Sequence, residues 1–302
     1  MPLRTRFALP ALLAAVALAA QSASPAQDKE KDKEAAKKAR AAAVENLKKA
    51  KIDKPTVEET DNFLVAGSIT EAKAKALGAV LEKVLPAARK AAKYDEKESA
   101  WKGKLTVYFL PDGDEYKAFM RRVLVKRDDE GQYADFRTDP PLLVDPADLP
   151  GKPSDAELFA ATAARMAGEH LKAKGTGSQA VPEWLRDGFG RVVVMKATGS
   201  AKYAAYKNAA KNAIFNPKSG KPPMIADVGS GERSVASDAL ANSLAEFLAY
   251  GPKAADFGKF LDALRPSDTV QNPSVLTGLM ALGWKDEASA DASWKQWVRT
   301  GK

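Results

Sequence analysis

The chain has no cysteine and, in 302 residues, a single histidine, His170. The first absence removes disulfides, thiolate nucleophiles and thiolate metal ligands, so stability has to come from a packed core. The second is more restrictive. A Ser-His-Asp triad would have to use His170, and no Gly-x-Ser-x-Gly elbow precedes a predicted helix. A phosphate-binding loop is missing too: "GSGERS", residues 229–234, lacks the Lys-Ser/Thr that completes one and reads as a loop before a helix starting at Ser234. Asp112/Asp114 and Asp128/Asp129 sit in turn-like sequence and read as solvated turns rather than paired glycosidase acids. Beyond residue 20 there is no apolar run approaching the roughly 20 residues of a membrane helix.

One apolar run does exist, "ALPALLAAVALAA" from Ala8 to Ala20, preceded by Arg4 and Arg6 and followed by the small residues of "QSASPAQ". This three-part pattern predicts a secretory signal peptide over residues 1–26, cut after Ser22 or Ala26, and no cysteine follows to carry a lipid. Export to the periplasm or the extracellular medium is expected. Two of the eight net positive charges lie in that segment, leaving six on the mature chain. Such a charge suits solubility or weak attraction to anionic envelope polymers. Basic residues alternate with acids and form no arginine-aromatic run, so no nucleic-acid groove is expected.

Residues 27–54 are rich in Lys, Glu, Asp and Ala, with only Val44 and Leu47 as large apolar residues before Ile52. Helix propensity is high and the apolar stripe thin, which predicts a solvated, partly helical spacer. An N-terminal α/β subdomain is expected over 55–150. Residues 61–66 and Leu105–Leu110 read as strands, with "QYADFR" and "PLLVD" as weaker ones. Thr70 reads as the cap of a helix whose apolar residues, Leu77 to Leu85, recur at helical spacing and which Pro86 should kink or divide. A further helix is expected from Asp114 to about Val125. Residues 151–302 read as nearly all helix, beginning with a helix capped by Ser154 or Asp155. The fold class predicted is α+β: a short sheet with helices, then a mostly helical half.

The order of these pieces carries a resemblance. "ETDNFLVAGSI", a long helix, "WKGKLTVYFLPDGDEYKAF", another helix, "VPEWLRDGFGR", and a closing "ADASWKQWV" resemble the gluzincin-like, peptidase-MA-like proteins of bacterial envelopes over about Val57 to Val298. The resemblance implies a zincin-type helical half and a closing tryptophan that packs inward. In active relatives a helix carries H-E-x-x-H: two histidines four apart on one face bind zinc, and the glutamate activates the bound water. A glutamate from the next helix completes the site.

Carried onto this chain, the motif falls on Ala161-Thr162-Ala163-Ala164-Arg165, and the third ligand on Asp187 within Trp184-Leu185-Arg186-Asp187-Gly188. No register from 155 to 174 places two zinc ligands four apart, and one histidine cannot make a two-histidine site. The degenerate positions are therefore Ala161, Thr162, Arg165 and Asp187, with no catalytic residue, no metal ligand and no cofactor expected. Glu169, His170, Trp184 and Arg186 remain as residual cleft residues. Glu169 and His170 are adjacent, so their side chains leave a helix about 100° apart and poorly share one ion. His170 reads as a helix-end residue whose protonated ring favours the C-terminus. Trp184 reads as a core residue, and Asp187 as a first-turn acid or a partner for Arg165. The expectation is an exported, catalytically inactive relative that binds a peptide or protein of the envelope. A hydrolase with a rebuilt site on Glu169, Asp187 and His170, and a charge-driven binder of anionic envelope polymers working through the spacer, are the alternatives.

Overall fold

The computed structural model describes residues 25–95, 98–127, 133–174, 181–217, 220–230, 234–266, 271 and 273–301, with side chains from residue 34 onward. The predicted signal peptide up to residue 24 lies outside them, as do Asp128 and Asp129.

The fold is α+β. A five-stranded sheet has the order β1 (Thr56–Glu59), β2 (Phe63–Gly67), β3 (Leu105–Phe109), β5 (Leu142–Asp145), β4 (Tyr133–Asp135). The three central strands are parallel, and the edge strands β1 and β4 are antiparallel to their neighbours. Central strands buried on both faces need unbroken apolar runs, and "FLVAG" and "LTVYF" supply them. Their alternation divides two cores. Phe63, Val65, Leu105, Val107 and Phe109 face one, and Leu64, Ala66 and Tyr108 the other.

The second face is covered by α1 (Pro25–Lys49) and α3 (Gly113–Phe119). This corrects the expected spacer. Ala39, Ala43 and Leu47 recur every four residues along α1, and with Ala50 and Ile52 they are buried against Leu64, Tyr108 and Phe119. Asn46 adds a hydrogen bond to the Tyr108 hydroxyl at 2.9 Å. The stripe looked thin because alanine carries little hydrophobicity, yet alanine is what lets a helix lie close to a sheet.

The first face carries α2 (Glu71–Ala91) and α4 (Asp155–Lys174). Thr70 caps α2 through its side chain, as expected, but Pro86 does not divide the helix. The helix expected from Asp114 to Val125 is shorter: α3 ends at Phe119, passes into a π turn, Met120–Leu124, and stops at Val125 in the left-handed region. Asp112 caps α3 by accepting from the backbone of Asp114 and Glu115, which accounts for that pair of acids.

Beyond α4 the chain is helical: α5 (Glu183–Thr198), α6 (Lys202–Phe215), α7 (Val235–Tyr250), α8 (Phe257–Ala263), α9 (Val275–Ala281) and α10 (Glu287–Thr300). Trp294 of α10 is fully buried, its indole N–H on the Ser243 hydroxyl. The first core runs without interruption from the sheet through α4 and α5 to α10. Among the described residues no helix is long and apolar enough to cross a membrane.

Candidate functional site

The helix pair α4 and α5 holds every position the sequence singles out. Ser154 and Glu157 set the start of α4 by a reciprocal cap, the Glu157 N–H donating to the Ser154 hydroxyl and the Ser154 N–H to the Glu157 carboxylate. Pro182 precedes the first turn of α5. Two glycines of "RDGFGR" then fix how α5 packs. A Cβ on Gly190 would fall 2.0 Å from the Ala164 carbonyl oxygen of α4, and one on Gly188 would fall 2.7 Å from the Ala241 carbonyl oxygen of α7. The phrase therefore marks a close three-helix crossing. Trp184 is half-buried and lies on Gly229, joining "GSGERS" to the same phrase.

At the motif positions, Ala161 offers no donor. Thr162 is fully buried, with its hydroxyl turned back to the Leu158 carbonyl at 3.0 Å. Arg165 leaves α4 towards the C-terminal end of β5, where its guanidinium binds the buried Asp145 carboxylate. The other Asp145 oxygen, Oδ2, is buried and has no hydrogen-bond partner among the described residues. Asp145, not Asp187, is thus the close partner of Arg165. Burial acts to lower the Arg165 pKa, and Asp187 opposes this through its field.

The residual acids do meet, but on an arginine. The Arg186 guanidinium donates to Glu169 at 3.2 Å and to Asp187 at 3.1 Å, and Lys172 lies 3.2 Å from the other Glu169 oxygen. A cation is already fixed between the two carboxylates. His170 points elsewhere. It is 1% exposed, its ring 4.1 Å from Tyr94 and 5.4 Å from Trp101 between centroids. Neither ring nitrogen has a partner among the described residues. Burial, then the nearby Arg89 and Lys174, push its pKa down to about 3. The expectation of a protonated helix-end ring is corrected: His170 is a neutral core residue.

These residues do not fit a zinc ion. Alanine, a back-bonded threonine and an arginine stand at the motif positions, and the single histidine is turned into an aromatic box. Among the described residues no group of three His, Cys, Asp or Glu side chains converges.

Comparison with protein-family models, curated proteins and solved structures finds no match.

A second polar cluster was missed. Glu246 of α7, 1% exposed, accepts from the Tyr203 and Tyr206 hydroxyls and lies 2.9 Å from Lys196 and 3.7 Å from Lys207. Burial and then the Glu246 charge push the Tyr206 pKa up. Burial opposes the charge on Lys196, but its bonds to Tyr203 and Glu246 outweigh this and raise its pKa. Two tyrosine hydroxyls and two lysine charges thus converge on one buried carboxylate, and the cluster ties α5, α6 and α7 together. The signal was a lone acid inside the apolar "ANSLAEFLAY".

Two shallow concavities lie outside these clusters. One of about 450 Å³ runs along α1 beside Lys37, Arg40, Val44 and Lys48, and one of about 420 Å³ is lined by Pro252, Trp284, Ala292, Ser293 and Gln296. Neither includes Glu169, Arg186 or Asp187.

Proposed function

We propose that the chain is an exported, catalytically inactive gluzincin-like protein that serves as a binding or structural module of the cell envelope, with a peptide or protein as its ligand. One observation carries the reading: the Arg186 guanidinium is bonded to Asp187, the position where the resemblance puts the third metal ligand, and to the neighbouring Glu169. Arg165 in place of the second histidine supports it, since its charge is committed to Asp145. A hydrolase rebuilt on Glu169, Asp187 and His170 draws no support from this geometry, because the ring and the carboxylates face different neighbours.

The test is thermal melting of the chain from Gln27 with zinc, without it and with a chelator. A ligand held only by the native state raises the melting temperature by mass action. The expected outcome is no shift and no co-purifying metal. A zinc-dependent rise that disappears in Asp187→Ala would overturn the proposal and direct attention to peptidase assays.

A further inference from the structure

We infer that the face formed by the end of α1 and the π turn docks on an anionic phospholipid bilayer, with Val125 as the inserted residue. This rests on surface chemistry and is independent of the gluzincin-like reading.

Val125 is 84% exposed, and it follows the π turn in a left-handed conformation, φ 54° and ψ 41°. β-branched residues avoid this region, so the backbone holds an apolar side chain out in water at a cost. Its surroundings are cationic. Arg121, Arg122 and Lys126 flank it in sequence and are exposed. The π turn packs on the end of α1: Arg122 reaches the Ala50 carbonyl at 3.4 Å, and Val44, Val123 and Leu124 lie on the rim of the same core. That end of α1 adds Lys48, Lys49 and Lys51, all exposed, while its nearby acids are Glu45, already paired with Lys49 at 2.9 Å, and Asp53. In the sequence Asp128, Asp129 and Glu130 follow, outside the described residues, and their charge opposes docking.

Cations alone would suit any polyanion. The exposed Val125 among its cationic sequence neighbours favours a bilayer, because an apolar side chain can enter the boundary between headgroups and acyl chains while lysines and arginines stay with the phosphates. A soluble polyanion offers Val125 nothing.

The experiment is co-sedimentation of the chain from Gln27, which retains every residue of both cores, with vesicles of phosphatidylcholine alone or mixed with phosphatidylglycerol. Binding to the mixed vesicles only, lost at high salt, is expected. Val125→Asp should weaken it about tenfold, and Lys48→Glu with Lys51→Glu by at least as much, with melting temperatures unchanged because these side chains are exposed. Asp128→Asn with Asp129→Asn should strengthen it. No sedimentation with mixed vesicles overturns the inference. So does equal binding to both vesicle types. Binding that survives Val125→Asp while polyphosphate competes it away would also overturn it, assigning the face to a soluble polyanion.

Discussion

Replacing Arg165 with methionine would leave Asp145 charged, fully buried and without its guanidinium. Breaking a buried pair from one side costs about 3–5 kcal/mol, so Arg165→Met should destabilise strongly and Arg165→Met with Asp145→Leu much less. A double-mutant cycle on Arg165 and Asp145 is expected to show a larger coupling energy than one on Arg165 and Asp187, and the reverse order would contradict the geometry. His170 gives a pH signature. Its ring titrates near about 6.5 when unfolded and at about 3 in the fold. Above the unfolded value nothing is lost. As pH falls from there towards 3, only the unfolded chain takes up the proton, so native stability declines by up to about 1.4 kcal/mol per pH unit. Denaturant titrations at pH 7 and pH 5 should show the native protein losing about 2 kcal/mol more than His170→Phe. Equal losses would mean that the ring is protonated or solvated in the fold. Sequence reasoning placed His170 on α4, but not its surroundings. Tyr94 and Trp101 arrive from the chain after α2, about seventy residues earlier, and no local pattern announces them.

At the scale of elements, α1 is where reading and structure part most. Its residues look like a spacer because lysine and glutamate dominate and the buried stripe is mostly alanine. What makes it a covering layer is the sheet beneath it, whose second face would otherwise expose Leu64 and Tyr108. Leu47→Ala should therefore cost about 2–5 kcal/mol, as for a buried leucine, measurable by urea unfolding. Removing residues 25–54 should lower the melting temperature sharply rather than leave a folded domain. An unchanged melting temperature would restore the spacer. Thr70 and Ser154 cap their helices as their sequences promised, because a cap is a contact between residues two or three apart, and Asp112, read as a turn acid, caps α3 in the same local way. Pro86 did not interrupt α2, where Leu81, Val84 and Leu85 before it and Ala88 and Ala91 after it are all packed in the core.

For the whole molecule, the continuity of the first core bears on the expected halves, 55–150 and 151–302. α4 reaches the sheet through Phe159 on Phe109 and Arg165 on Asp145, and packs along α5. The chain from Gln27 should unfold in one cooperative transition, seen together by far-ultraviolet circular dichroism and tryptophan fluorescence. Two separated transitions would mean that the halves fold independently.

The sequence by itself determined the α+β class, most of the helices, the two fully buried central strands and the absence of a two-histidine site. These follow from apolar periodicity, from capping residues and from a count of one histidine. The tertiary structure alone decided the partners: Asp145 for Arg165, Arg186 for Glu169 and Asp187, an aromatic box for His170, and two tyrosines with two lysines for Glu246. Apart from the adjacent Arg186 and Asp187, each of these joins residues from separate elements, and a charge in a sequence carries no sign of which distant charge the fold will bring to meet it.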